Sequence, residues 1–97
     1  MVLNHDQRIY ARIYIKDVLA YALQGKDLER GIEILDELFN KHRMRMDVYF
    51  HLKFALEKEF NIDKKVFYGV ILKEIYTFMR IGLDHLDVFV PTDLDKR

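Results

Sequence analysis

Hydrophobic and charged residues alternate with helical spacing most clearly in residues 27–43. Apolar or small side chains recur there every three or four positions, at Leu28, Gly31, Ile32, Leu35, Leu38 and Phe39. Charged side chains such as Glu29, Glu33 and Lys41 fill the opposite side. This pattern is typical of an amphipathic helix with one buried face. Since Gly31 lies in the apolar stripe, we expect a neighbouring helix to approach closely there.

The same periodicity predicts three further helices, over residues 6–23, 47–60 and 64–86. Gly25 is expected to end the first of them, because glycine tolerates the left-handed conformation that often follows a helix. The last helix is long enough to cross a domain of this size, which favours a bundle over short stacked helices. The pattern therefore predicts an all-α, four-helix, bundle-like single domain.

Acidic residues stand where the second, third and fourth helices are predicted to begin. Asp27, Asp47 and Asp63 can each accept a hydrogen bond from the free N–H groups of a first helical turn. Ile62 and Phe67 have the spacing of a hydrophobic staple around Asp63. The main apolar stripe of the fourth helix is predicted to begin with Tyr68 and to continue through Ile71, Leu72, Ile75, Phe78 and Met79.

The apolar arcs of the first, third and fourth helices are broader than one helix contact requires. Phe50 and Phe54 fall on a second face of the third helix, and Tyr10 and Tyr14 widen the arc of the first. The chain has six tyrosines and seven phenylalanines, and a small bundle has a limited interior. These four aromatic residues are therefore predicted to form a surface that contacts another chain.

The C-terminal segment, residues 87–97, is predicted to be a short extended tail. Its apolar residues Val88, Phe89 and Val90 precede Pro91, the only proline of the chain. Three consecutive apolar residues would be exposed to water in a solvated tail, which is unfavourable. We therefore expect Phe89 to dock on the helices or on a second chain.

Composition narrows the classes of function. The chain of 97 residues carries no net charge, which argues against a general nucleic-acid coat or a polybasic membrane binder. It has no cysteine and no serine, so the two commonest nucleophiles are missing. Charged residues largely replace uncharged polar ones, a pattern typical of thermophilic proteins. No stretch is long and apolar enough for a secretory or membrane segment, and a cytoplasmic location is expected.

The segment 53–72 resembles a DNA-binding helix-turn-helix. Its apolar residues fall where the two helices of that motif pack, at Leu56, Phe60, Ile62, Phe67 and Val70. The resemblance implies that Lys64, Lys65 and Tyr68, at the start of the second helix, face the DNA groove. The chain departs from the motif at Glu57, where a small residue normally allows the helices to touch.

A basic link precedes the third helix. Residues 41–45 contain Lys41, His42, Arg43 and Arg45, which offer positive charge to a nucleic acid or an acidic partner. A plain solvated loop gives the same composition.

Two further spacings match the Arg-to-His interval of helical ribonucleases of the HEPN type, namely Arg45 to His51 and Arg80 to His85. With seven arginines and four histidines in the chain, such matches also arise by chance. The four histidines are scattered and include no His-x-x-x-His pair. The sequence therefore indicates no catalytic residues, no metal site and no cofactor.

The pattern favours a non-enzymatic interaction or assembly module that acts as a homodimer or as a small subunit of a complex. Its expected partner is a second copy of the chain or another protein, and no contact with a membrane is expected. A small helix-turn-helix DNA-binding regulator is the first alternative, and a HEPN-type ribonuclease the second.

Overall fold

The structure is a computed structural model that describes residues 2–85. These residues form four helices and contain no β-strand. The first three helices are α1 (His5–Leu19), α2 (Gly25–Lys41) and α3 (Arg45–Glu59). The fourth, α4, runs through Lys64–Val66, a π-helical turn Phe67–Ile71, and Leu72–Arg80, and a 3₁₀ turn Gly82–Asp84 follows it. The predicted all-α fold is confirmed, and the predicted tail with Phe89 lies outside the described residues.

The helices pack around one hydrophobic core. Helix α2 contacts α1 and α3, and α4 contacts α3 and α1, so α4 closes the bundle. The core residues of α3 and α4 with the least exposure are Val48, Leu52, Leu56, Phe67, Ile71, Ile75, Phe78 and Met79. None of the helices in residues 2–85 combines the length and the hydropathy needed to cross a lipid bilayer.

Helix α1 is shorter than the predicted 6–23. The chain turns after Leu19, and the Leu23 N–H donates to the Leu19 carbonyl at 2.9 Å. This turn carries the Leu23 side chain onto Gly31 of α2, where a Cβ would lie only 2.8 Å from Leu23 Cδ1. Gly31 is thus closely approached, as predicted, but by a side chain of the turn after α1 and not by a neighbouring helix. Gly25 has the expected positive φ of 56°, but it begins α2 rather than ending α1.

Two predicted helix starts were wrong by two residues. Helix α2 begins at Gly25 and α3 at Arg45, so Asp27 and Asp47 lie in first turns instead of at the caps. Both carboxylates still favour their helices, because the N-terminal end of a helix carries partial positive charge. The cap predicted at Asp63 is confirmed, since its carboxylate accepts from the Lys65 N–H at 2.9 Å.

The sequence missed a cap at the beginning of α1. Asn4 accepts from the Gln7 N–H at 2.8 Å, and the Gln7 side chain accepts from the Asn4 N–H at 3.0 Å. The signal for this reciprocal pair was present as Asn-x-x-Gln.

The π-helical turn changes which residue of α4 begins the core stripe. The sequence predicted that Tyr68 begins the main apolar stripe of this helix. In the structure Phe67 is 1% exposed and Tyr68 is 43% exposed. A π-turn closes over five residues instead of four, and this rotates the residues at its beginning about the helix axis relative to the rest of α4. Here that rotation places Phe67 in the core and turns Tyr68 outward, beside α3.

Candidate interaction surface

The outer face of α3 exposes two phenylalanines. Phe50 is 46% exposed and Phe54 is 63% exposed, whereas Leu52 and Leu56 on the inner face are completely buried. Residues four apart on a helix lie side by side, so the two exposed rings are neighbours. Helix α3 is therefore apolar on two opposite sides, and the bundle covers only one of them.

Tyr68 of α4 extends this exposed surface. The Lys53 Nζ lies 5.8 Å from the centre of the Phe54 ring and 5.6 Å from the centre of the Tyr68 ring. A lysine at this distance from an aromatic face is attracted by the negative charge density of the ring. We call Phe50, Phe54 and Tyr68 together the aromatic patch.

Glu57 fixes the side of the aromatic patch nearest α4. Its carboxylate accepts a hydrogen bond from the Tyr68 hydroxyl and lies 3.7 Å from the Lys64 Nζ. The hydrogen bond to Glu57, with some help from desolvation, raises the pKa of Tyr68. Lys64 also lies 5.6 Å from the Tyr68 ring centre. Glu57, Lys64 and the Tyr68 hydroxyl therefore pair with one another, and the aromatic rings remain exposed to solvent.

The two tyrosines predicted on the same partner surface lie elsewhere. Tyr14 of α1 stacks on Phe78 with a centroid separation of 4.0 Å, and its hydroxyl donates to Glu74 at 2.9 Å. Burial and this hydrogen bond raise the pKa of Tyr14 to about 12. Tyr10 is half-buried against the core. The bundle thus covers much of the surface of both rings.

The structure corrects the predicted position of Arg45. The sequence placed it in a basic link, but Arg45 begins α3 and is 5% exposed. Its guanidinium donates to both carboxylate oxygens of Asp84 at 3.2 Å and to the Met79 and Arg80 carbonyls at 3.5 and 3.4 Å. A side chain held in this way joins the beginning of α3 to the end of α4 and does not face a nucleic acid.

The other predicted nucleic-acid contacts are at the surface. Arg43 and Lys65 are exposed. Lys64 and Tyr68 are also exposed, but both contact the Glu57 carboxylate, which would repel a phosphate.

The predicted ribonuclease pairs have other contacts. Arg45 is held by Asp84, whereas the His51 ring stacks on His42 with a centroid separation of 4.0 Å. Arg80 lies over the Tyr76 ring at 5.7 Å. Within residues 2–85 no group of three or more His, Asp or Glu side chains is arranged to hold a metal ion.

One more surface feature is an open groove of about 470 Å³ between α1 and α2. Arg12 and Asp36 form an ion pair across it at 2.7 Å, and Arg8 donates to the Phe39 carbonyl. These contacts tie the two helices together.

Comparisons with protein-family models, with curated proteins and with solved structures found no match to this chain.

Proposed function

We propose that this chain is a non-enzymatic protein-interaction module, acting as a homodimer or as a small subunit of a complex, and that the aromatic patch is its contact surface. The observation that carries the proposal is the exposure of Phe50 and Phe54 side by side on α3. Clustered exposed aromatic rings are common at the centres of protein interfaces.

The energetics agree with this interpretation. Burial of one phenylalanine side chain is worth about 1.5–3 kcal/mol, so a partner that covers both rings gains several kcal/mol before the costs of association. Glu57 already neutralises Lys64 and orients Tyr68. A partner therefore need not provide a counter-charge at that edge of the patch.

DNA binding through Lys64, Lys65, Tyr68 and Arg43 has less support. The Glu57 carboxylate lies where a phosphate would approach the beginning of α4, and the chain has no net positive charge. The ribonuclease alternative has less still, because Arg45 is buried in its contact with Asp84.

The proposal is tested by light scattering on the full chain, up to about 100 µM, which detects micromolar association. We expect Phe54→Glu to abolish or strongly weaken self-association or the retention of a co-purifying partner. Tyr21→Glu is the matched control, because Tyr21 is an 80% exposed aromatic residue outside the aromatic patch. A monomer that retains no partner would overturn the proposal.

A parallel measurement addresses DNA. Retention of the unmutated chain on duplex DNA at low salt, lost in Lys64→Glu with Lys65→Glu, would favour the regulator instead. Such binding would weaken with salt by a log–log slope of about 0.9 per phosphate contact.

A further inference from the structure

The outer face of α3 carries charge at both ends of its aromatic centre. Five exposed residues lie on this face, Asp47, Phe50, His51, Phe54 and Lys58, and each of them is three or four positions from at least one other. Residues with this spacing form one continuous stripe along a helix. We call these five residues the α3 stripe. It runs from an acidic end, through two phenylalanines, to a basic end.

This order is self-complementary when two helices run antiparallel. If Asp47 of one copy lies against Lys58 of the other, the same register places His51 against Phe54 and brings Phe50 close to Phe54. A two-fold axis repeats each contact, as an isologous interface requires. A parallel pair would instead place Asp47 against Asp47 and Lys58 against Lys58, which costs energy. The charge order therefore selects one orientation.

The neighbouring charges of α3 have contacts within the chain. Glu57 is engaged by Tyr68 and Lys64, and Glu59 lies 2.9 Å from Arg30 of α2. Lys53 lies over the Phe54 and Tyr68 rings at the edge of the stripe. Asp47 and Lys58 remain as exposed charges of opposite sign at the two ends of the stripe.

We propose that two copies of this chain associate through their α3 stripes, antiparallel about a two-fold axis near residue 52, with Asp47 of each copy beside Lys58 of the other. The inference rests on the proposed function and specifies its partner as a second copy. Asp47, His51, Phe54 and Lys58 have the four-three-four spacing of a coiled-coil seam. The seam is about 16 Å long at ~1.5 Å per residue, so the proposed interface is a small one.

Charge reversal tests the register. We expect Asp47→Lys and Lys58→Asp each to raise the dimer dissociation constant about tenfold, because each places like charges together. The double variant exchanges the two charges and is expected to restore most of the affinity. Circular dichroism checks that every variant is folded. If the double variant dimerises no better than the single variants, the proposed register is wrong.

Cross-linking tests the orientation without relying on affinity. The chain has no cysteine, so Asp47→Cys and Lys58→Cys each introduce a single thiol. In the antiparallel dimer, a mixture of the two variants forms a disulfide between residues 47 and 58 under mild oxidation. Two Asp47→Cys chains alone do not cross-link efficiently, since their thiols lie roughly 16 Å apart along the helix axis. Efficient cross-linking of Asp47→Cys to itself would overturn the proposal.

These outcomes separate the two proposals. If Phe54→Glu abolishes association but residues 47 and 58 do not cross-link, the interaction surface stands and the antiparallel dimer fails. If the patch instead binds a different protein, or residues 86–97 of the same chain, the wild type is not a homodimer and this inference fails. If the chain stays monomeric and retains no partner, both proposals fail.

Discussion

Helices α2 and α3 have similar lengths, 17 and 15 residues, and very different outer faces. On α2, Arg30 contacts Glu33 and Glu37 of its own helix and Glu59 of α3. On α3, the outer face exposes two phenylalanines, of which Phe54 is 63% exposed. Both helices bury apolar side chains toward the core, and the contrast between ion pairs and exposed rings lies on the side away from it.

The two outer faces differ in how much free energy a contact with another surface would contribute. Water and neighbouring charges satisfy the outer face of α2, and further contacts there would add little free energy. The outer face of α3 leaves apolar surface in water, which gains free energy only when another surface covers it. The four tests that follow use matched substitutions in the two helices, or in a neighbouring one.

The largest loss of stability is expected from substitutions on the inner faces, where α2 and α3 should respond alike. Leu35 and Leu52 are both completely buried. Leu35→Ala and Leu52→Ala should each lower the free energy of unfolding by about 2–5 kcal/mol, because each leaves a cavity. Urea denaturation measures both. A loss below about 1 kcal/mol in only one variant would show that the two inner faces are not equivalent.

Substitution of one arginine in each helix is expected to have the next largest effect on stability, and a different one in the two helices. Arg45→Ala should lower the free energy of unfolding by about 2 kcal/mol, because the side chain is 6% exposed and holds Asp84 and two carbonyls. Arg30→Ala should produce no resolvable change, since its ion pairs are at the surface. Thermal melting of the two variants compares them directly. Equal melting temperatures would contradict a structural role for Arg45.

Substitution of two glycines by alanine is expected to give a smaller difference in stability. The pair tests how α2 packs against the turn after α1. Gly69→Ala in α4 should stabilise the fold by about 0.5–1 kcal/mol, because an added Cβ meets no atom within 4 Å and alanine favours a helix. Gly31→Ala should give little or no gain, since its Cβ would lie 2.8 Å from Leu23 Cδ1. Equal stabilisation by both substitutions would mean that Leu23 moves aside at no cost.

The smallest effect on stability concerns the outer faces themselves. Phe54→Ala in α3 and Glu33→Ala in α2 should each change the free energy of unfolding of the monomer by less than about 0.5 kcal/mol, as both side chains are exposed. At high protein concentration only Phe54→Ala should lose the concentration-dependent rise in melting temperature that association confers. Calorimetry at two concentrations measures this. Loss of the rise in Glu33→Ala as well would show that association is not confined to α3.

Residue spacing along the chain was enough to predict the secondary-structure elements. Helical periodicity located all four helices, Asp63 marked one helix start correctly, and Gly31 marked a close approach between elements. The same periodicity separated Phe50 and Phe54 from the buried face of α3. These features depend on residues three or four positions apart, which are neighbours on any helix. Helix ends were less well determined, because α2 and α3 begin without a side-chain cap that a sequence can display.

The packing of the helices against one another determines which polar and aromatic side chains remain at the surface. Arg45 is buried because Asp84, 39 positions later, lies beside it. Tyr14 is covered because its ring stacks on Phe78 and its hydroxyl donates to Glu74. Tyr68 faces outward because a π-turn rotates the beginning of α4. Contacts between residues so far apart depend on how whole helices pack, and local periodicity carries no information about the helix that will lie alongside.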